Sequence, residues 1–245
     1  MKKALNALAT LAAITSLGAS GALPAGAAGR GLPPTLSSMS AAQVASLSLA
    51  NAKKWGSCTY VSRGTAVGFT FGSSTDSGPR GARQTVIFNG YHGQVLFLSG
   101  ALYMKESAAL LRVQFGKSDP RDANRWILLP PGNKSYRSVS NGLLFSSMFT
   151  QVRPGGVLHE SKVGTLGGVK VVAVTGQANP ELGLMRGVET LFVAAASPYL
   201  PVKLIAGGRS QGVPTSLSVS FSHWGDHFRI TAPRGALTLS KNALP

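Results

Sequence analysis

The chain has 245 residues, which suits one folded domain with short additions better than two domains. Hydrophobic residues make up 44% and charged residues 13%, with 30 Gly and 14 Pro, and this composition excludes an intrinsically disordered chain, a collagen and a coiled coil. The net charge of +16 favours anionic partners, while the single cysteine, Cys58, excludes an internal disulfide and a multi-cysteine metal site.

The N-terminal 27 residues have the order of a secretory signal peptide. Lys2 and Lys3 precede an apolar segment that ends in small residues, and Ala25-Gly26-Ala27 has the small-x-small pattern that signal peptidase accepts. An uncleaved anchor is the alternative, but polar and small residues dilute the segment below the about 20 apolar residues that a stable span needs. We therefore expect export, with a mature chain that starts near Ala28 and acts in the periplasm, in the cell wall or outside the cell.

The positive charge belongs to the mature chain rather than to the signal peptide. Without Lys2 and Lys3, 22 basic residues face 8 acidic ones, which leaves a charge of +14. An exported basic protein meets lipids and envelope polymers before it meets chromosomes. We therefore expect an anionic membrane surface among its partners and no nucleic acid.

A helix opens the folded domain. Residues 28–39, rich in Gly and Pro, are expected to form a linker to a single domain over 40–245. Ser40-Ala41-Ala42-Gln43 has the S-x-x-Q spacing of a capping box, and apolar residues follow at helical spacing. Lys53 and Lys54 stand in the last turn, where they suit the negative end of the helix dipole.

From Thr59 onward the hydrophobic period changes to two, which is typical of strands. A meander joined by Asn89-Gly90 and Ser99-Gly100 turns is predicted from three runs, Thr85–Phe88, Gln94–Leu98 and Ala101–Lys105. After an interruption over Ser107–Phe115 and a helix start at Ser118-Asp119-Pro120, a strand is predicted at Trp126–Leu129. Pro130-Pro131 ends that strand, and Gly142–Phe149 is predicted as a short apolar helix.

The C-terminal half is predicted as strands of one antiparallel sheet. The predicted ranges are Leu158–Val163, Val169–Gly176, Glu189–Ala195, Val202–Ala206, Thr215–Trp224 and His227–Ala232. The clearest alternation places Leu217, Val219 and Phe221 on one face and serines on the other, so that strand has one wet side.

One short motif resembles a catalytic one. Gly208–Gly212 has the G-x-S-x-G spacing of a nucleophile elbow, which needs a strand before the serine and a helix after it. A second alternating strand follows instead, so we interpret Ser210 as part of a hairpin loop and predict no catalytic residue. No phosphate-binding loop of the G-x-x-x-x-G-K-[ST] type is present either.

The histidines and carboxylates offer one candidate metal site and two candidate acid/base pairs. His223, Asp226 and His227 could hold a divalent transition metal on a tight turn, but no further ligand stands at metal-site spacing, and we predict no metal or other cofactor. The carboxylate pairs available for glycoside hydrolysis are Asp119 with Asp122 and Glu181 with Glu189. The first pair is better explained as the cap and first turn of a short helix.

Several predicted strands are apolar on both faces. Val95–Leu98 and Val171–Val174 carry apolar side chains at successive positions. Antiparallel strands need this pattern when both faces are covered, or when one face lines an apolar cavity. Few helices are predicted to cover so long a sheet.

The order of the elements and several local motifs resemble the LolA-like superfamily, in particular its LppX/LprG-type branch of envelope lipid-binding proteins. The resemblance covers Ser40 to Pro233. Its most specific part is the ending, in which Pro198–Leu204 is followed by Val219–Gly225, with the sequence V-S-F-S-H-W-G, and by Ile230–Pro233. Earlier matches are Ala101–Lys105 and the run N-R-W-I-L-L-P.

The resemblance implies an α+β fold, in which a strongly curved antiparallel half-barrel has helices closing its concave face over an apolar cavity that takes acyl chains. The lid helices would be Ser40–Lys54 and Gly142–Phe149. The sequence departs from the family in two places. His223 stands where the family has an Asp, and the lipobox cysteine of the lipidated members is missing.

These observations predict a non-enzymatic carrier or binder of acylated lipids, or of a lipid-modified protein, in the cell envelope. The predicted cavity residues are Val86, Phe88, Val95, Phe97, Leu143, Leu144, Met148, Leu191, Val193, Leu217, Val219 and Phe221. A register error of one residue would exchange the two faces of a strand.

Two alternatives stay open at this point. A basic secreted module that binds anionic cell-wall polymer or a membrane surface would use the charge and need no cavity, and its affinity would collapse with salt. A metal-dependent hydrolase centred on His223, Asp226 and His227 would need a stoichiometric metal ion.

Overall fold

A computed structural model of the chain describes residues 36, 38–66, 68–115, 122–133, 135–161, 163–179, 182, 184–210 and 212–238. The predicted signal peptide and its cleavage site lie outside the described residues, as do most of the predicted linker, the helix start at Ser118-Asp119-Pro120, and Glu181.

One large sheet organises the described part of the chain. Its strands are β1 (Cys58–Ala66), β2 (Phe69–Gly78), β3 (Gly81–Phe88), β4 (Tyr91–Leu98), β5 (Ala101–Glu106), β6 (Ile127–Leu129), β7 (Gly155–Glu160), β8 (Gly164–Leu166), β9 (Val169–Gln177), β10 (Met185–Ala194), β11 (Pro201–Ser210), β12 (Val213–Ser222) and β13 (Leu237–Thr238). The helices are α1 (Ala41–Trp55), α2 (Ala108–Phe115), α3 (Tyr136–Leu143) and α4 (Phe145–Gln151).

The strands follow the order β13-β6-β5-β4-β3-β2-β1-β12-β11-β10-β9-β7, and β8 also pairs with β9. Neighbours are antiparallel except β13 and β6, which run parallel. The sheet is curved and stays open, because its end strands do not pair with each other within the described residues. The predicted α+β half-barrel is therefore confirmed.

The predicted helix at the start of the domain is α1. The Ser40 hydroxyl accepts a hydrogen bond from the amide of Gln43, and the Gln43 side chain accepts one from the amide of Ser40 at 2.7 Å, so the capping box is formed. Gly56 ends the helix in the left-handed conformation, with φ 75°. Its inward side buries Val44 and Leu49 against the sheet core.

The two predicted turns of the meander are confirmed. Asn89 and Gly90 have φ of 46° and 81°, and Ser99 and Gly100 have φ of 50° and 82°. Positive φ at both central residues is the geometry of a type I′ turn, whose twist matches that of the flanking strands. The turns join β3 to β4 and β4 to β5, so the meander has the predicted order with longer strands.

The predicted strand His227–Ala232 is wrong. This segment has no ladder partner among the described residues, although Phe228 and Ile230 are half-buried and alternate with exposed residues. It follows β12, and both edges of β12 are already paired, with β1 and with β11. The segment therefore has the alternating pattern of a strand, but β12 offers it no free edge to pair with.

The predicted helix Gly142–Phe149 is also wrong in its extent, because it straddles a break. Leu144 has extended backbone angles, φ −67° and ψ 125°, and separates α3 from α4.

Two strands also differ from the prediction, because β7 ends at Glu160 rather than Val163, and β8 was not predicted. Within the described residues, none of the helices has the length and apolar character needed to cross a bilayer.

Candidate functional site

The concave face of the sheet carries a continuous apolar surface across β12, β11, β10 and β9. Register pairs Val219 with Leu204, Leu204 with Leu191, and Leu191 with Val174, so four apolar side chains stand in one row. All four are buried. Successive partners on one face of an antiparallel sheet have Cβ atoms about 5 Å apart, so the row forms an unbroken apolar floor.

Two helices cover this floor. Helix α1 lies against β9, β10 and β11, while Met148 of α4 and Val152, directly after α4, lie over Leu204, Leu217 and Val219 of the sheet. Together with neighbouring residues they enclose a void of about 10 Å³, whose remaining lining is Tyr60, Gly142, Gln151 and Leu182. A void of this size holds about one water molecule. The protein fills this part of its concave face with its own side chains, so any ligand larger than a water molecule would need the covering side chains to move.

Two side-chain hydrogen bonds join the last turn of α3, directly before α4, to the sheet. The hydroxyl of Tyr60 in β1 donates to the carbonyl of Gly142 at 2.9 Å, and the hydroxyl of Ser77 in β2 donates to the carbonyl of Leu143 at 2.7 Å. In an uninterrupted helix these carbonyls would accept from amides four residues later. At the break, these carbonyls bond to the sheet instead.

The C-terminal end of α4 is held by Asn179, which follows β9. Its side-chain amide donates to the carbonyl of Thr150 at 2.5 Å and to that of Arg153 at 3.4 Å, at the end of α4 and just beyond it. Its backbone amide donates to Oε2 of Glu189 in β10 at 2.8 Å. Asn179 thus links the end of α4 to the sheet through a buried carboxyl group.

Glu189 is fully buried on the concave face, opposite Gly176 and Ala206 of the neighbouring strands. Burial raises the pKa of Glu189 to about 7, and the hydrogen bond from the amide of Asn179 partly offsets this rise. Its second oxygen, Oε1, has no hydrogen-bond partner among the described residues. This carboxyl group therefore changes charge near neutral pH, beside the tie that holds α4.

A buried polar stripe crosses the concave face next to the apolar floor. Ser62, Ser73 and Thr75 point inward from β1 and β2, and Gln84 of β3 donates to Thr75 Oγ1 at 2.9 Å and to Ser73 Oγ at 3.2 Å. All four are at most 1% exposed. Sequence reasoning missed the stripe, because β2 carries hydroxyl side chains on both faces and its alternation marks neither face as inward.

Eleven of the twelve predicted cavity residues fall into two groups on the concave side. Those packed in the cluster with α1 and α4 are Phe88, Met148, Leu191, Val193, Leu217, Val219 and Phe221. Those packed in the second cluster, on β3 to β6, are Val86, Val95, Phe97 and Leu143. Leu144 is half-buried at the junction of α3 and α4.

Three of the twelve, Met148, Leu217 and Val219, line the void. The other lining residues were missed. Tyr60 stands in a strand without clear alternation, and Leu182 belongs to none of the predicted elements.

The motifs with possible chemistry adopt the structures of turns. Ser210 is buried at the end of β11 and pairs with Val213 of β12, so the hairpin interpretation of Gly208–Gly212 is confirmed. His223 follows β12 with φ 52°, and its Nδ1 lies 3.0 Å from the hydroxyl of Ser222. The described residues contain no group of three His, Cys, Asp or Glu side chains placed to hold a metal ion.

The W-G part of the motif V-S-F-S-H-W-G joins three elements. The ring of Trp224 stacks on Phe221 at 6.0 Å and meets Phe145 of α4 edge-on at 6.5 Å. The amide of Gly225 donates to the carbonyl of Ser57 at 3.0 Å, and Gly225 faces the ring of Trp55 at the end of α1. The motif therefore fastens α1, α4 and the sheet together.

A second concavity lies on the outer side of α4. This groove has a volume of about 520 Å³ and opens between α1 and the start of β7. Its lining residues are Ser46, Leu49, Ala50, Lys53, Phe149, Thr150, Arg153, Pro154, Gly155 and Asn179.

The sequence matches no protein-family model and no curated protein sequence. The crystal structure of the lipoprotein LppX from Mycobacterium tuberculosis matches with a TM-score of 0.54 at 15% identity, over 78% of this chain and 98% of LppX. LprF from Mycobacterium bovis matches with a TM-score of 0.50 at 14% identity, over 84% of this chain and 100% of LprF. The chain therefore has the fold of LppX and LprF, in agreement with the resemblance of its sequence motifs to the LppX/LprG-type proteins.

Proposed function

We propose that this protein is a non-enzymatic binder or carrier of acylated lipids, or of a lipid-modified protein, and that acyl chains lie between the concave sheet face and α4. The observation that carries the proposal is the apolar floor of β9 to β12, which is covered by two helices, the 15-residue α1 and the seven-residue α4, rather than by a second sheet. Hydrogen bonds from Tyr60 and Ser77 hold the segment just before α4, and one from Asn179 holds the end of α4. A cover of this kind can move without dismantling the sheet.

Apolar burial supplies the driving force. An acyl chain that enters must displace Met148 and Val152 from the floor, and it replaces their contacts with its own. Burial is worth roughly 25 cal/mol per Å², so a few hundred Å² of sequestered chain offers several kcal/mol before ordering costs. No covalent step is needed.

The proposed location is extracytoplasmic. The order of residues 1–27 supports export, and LppX, which shares the fold, is a lipoprotein. The positive charge of the mature chain would favour encounters with anionic membrane surfaces.

The first experiment is native mass spectrometry of the mature protein, residues 28–245, purified from an envelope source, followed by organic extraction. Stoichiometric lipid would support the proposal and identify the ligand. A clean mass without ligand, together with failure to take up a fluorescent acyl probe, would overturn it.

A matched pair of variants tests the position of the acyl chains. Met148→Gln places an amide over the apolar floor, whereas Ser146→Gln places the same group on the exposed side of α4. The first variant should weaken acyl-probe binding by about tenfold, since it leaves a polar group to be desolvated, and the second should leave binding unchanged. Equal affinities for the two variants would contradict this placement.

A second candidate function is a basic module that binds anionic cell-wall polymer or membrane surface without a cavity. The small size of the void, about 10 Å³, favours this candidate. Salt distinguishes the two, because binding to a polyanion weakens steeply as salt is raised, whereas acyl-chain binding persists.

A further inference from the structure

The groove outside α4 combines an apolar floor with cationic walls. Ser46, Leu49, Ala50 and Lys53 of α1 are spaced i, i+3, i+4 and i+7, so they form one stripe along the helix that faces the groove. The opposite wall comes from the end of α4 and the segment that leads into β7.

The floor of the groove is apolar. Leu49, Phe149 and Pro154 line it and are buried, although they border an open concavity. An inorganic anion gains nothing from such a floor. A molecule with an apolar part covers it and removes the remaining apolar surface from water.

The charged side chains of the groove are both cations. Lys53 and Arg153 are exposed, and the Lys53 ammonium lies 5.7 Å from the centre of the Phe149 ring. Among the described residues, no Asp or Glu lines the groove and neither cation forms an ion pair. Two cations beside an apolar floor complement a ligand that is both anionic and apolar.

The groove and the void beneath α4 share one wall. Met148 and Val152 face the void, while Phe149 and Arg153, each one residue further along the chain, face the groove. The thickness of one helix therefore separates the two concavities. Displacement of α4 would join them into one path from the cationic walls to the apolar floor of the sheet.

We propose that the groove is a site for the anionic headgroup of a lipid, with Lys53 and Arg153 bound to its phosphate and the first part of its acyl chains lying over Leu49 and Phe149. This inference rests on the proposed function, because it assigns the headgroup class of the lipid whose chains occupy the concave face. The occupant is a membrane lipid with net negative charge, such as a phosphatidylglycerol.

Two fluorescent lipids with identical acyl chains test the assignment, one a phosphatidylglycerol of net charge −1 and the other a diacylglycerol, which has neither a phosphate nor a charge. The test variant of the mature protein is Lys53→Gln with Arg153→Gln. The control variant is Lys54→Gln with Arg137→Gln, which removes the same charge from exposed positions that do not line the groove.

The wild type should prefer the phosphatidylglycerol, and the test variant should lose about tenfold in affinity for it, because charge-assisted hydrogen bonds to the headgroup are removed. Its affinity for the diacylglycerol should stay unchanged, as should both affinities of the control variant. Equal loss in the two double variants, or none in the test variant, would overturn the headgroup site while leaving acyl binding intact. Failure of the wild type to bind either lipid would overturn the proposed function and this site with it.

Discussion

The hydroxyl of Tyr60 donates a 2.9 Å hydrogen bond to the carbonyl of Gly142, which lies 82 residues further along the chain. Tyr60 is buried at the centre of the sheet, and Gly142 belongs to the last turn of α3, beside the cover of the concave face. Burial raises the pKa of Tyr60, so the phenol stays protonated and continues to donate through the whole physiological pH range. The bond therefore joins the end of α3, directly before α4, to β1 of the sheet.

Tyr60→Phe should therefore loosen the cover. The free energy of unfolding should fall by about 1 kcal/mol, since one intramolecular hydrogen bond is lost and a carbonyl is left without its partner. Acyl-probe uptake should become faster. Denaturant titration and hydrogen exchange of the α4 amides measure the two effects, with Tyr91→Phe, an exposed tyrosine, as the control. Unchanged exchange in α4 would show that this bond does not hold the cover.

Asn179→Ala should release the other end of α4. The substitution removes the donors to the carbonyls of Thr150 and Arg153 but keeps the backbone amide that binds Glu189. We expect faster hydrogen exchange over residues 148–152 and a loss of about 1 kcal/mol in the free energy of unfolding. If hydrogen exchange became faster only in the β9–β10 connection and stayed slow in α4, the result would show that Asn179 does not hold α4.

Glu189 should make stability depend on pH. Burial raises its pKa from 4.5 to about 7 in the folded protein, so the folded state holds the proton more tightly than the unfolded state. The stabilisation from this group is fully present below pH 4.5 and is lost as the pH rises to about 7. The change is of the order of 3 kcal/mol.

Glu189→Gln provides the comparison, because glutamine keeps a neutral acceptor for the amide of Asn179. The fall in the free energy of unfolding between pH 4.5 and 7 should be smaller in the variant than in the wild type, and the variant should be the more stable protein at neutral pH. Unfolding titrations at several pH values measure both. Parallel pH profiles would show that Glu189 does not titrate in this range.

The elements that the sequence predicted well carry local signals. The capping box of Ser40 and Gln43 marks α1, the Asn89-Gly90 pair marks a type I′ turn, and strict alternation over Leu217 to Phe221 gives the inward face of β12. Each signal depends on residues a few positions apart, so one sequence contains the whole pattern.

The elements that were predicted wrongly depend on partners far along the chain. At the break at Leu144, the carbonyls of Gly142 and Leu143 accept hydrogen bonds from donors on β1 and β2, which lie far away in the sequence. The segment from His227 alternates like a strand but has no free edge beside β12. The lining of the void likewise depends on which sheet residues α4 contacts, and no local sequence pattern predicts those contacts.

Gly225 gives a final prediction, about the W-G motif. Its φ is 82°, and a Cβ built there would lie 2.5 Å from Cε3 of Trp55. Gly100 has the same φ of 82° at a turn with open space around it, so Gly100→Ala measures the cost of the left-handed backbone alone, about 1 kcal/mol. Gly225→Ala carries that cost and must also move the Trp55 ring.

The Gly225 variant should therefore lose 1–2 kcal/mol more than the Gly100 variant, on the order expected for overpacking. Trp55 fluorescence should shift in the Gly225 variant and stay constant in the Gly100 variant, with the Trp126 and Trp224 signals removed by substitution to Phe in a common background. Equal destabilisation in the two variants would mean that the ring of Trp55, which is 46% exposed, swings aside without cost. In that case Gly225 would serve the turn geometry alone, and the contact between the motif and α1 would contribute nothing to stability.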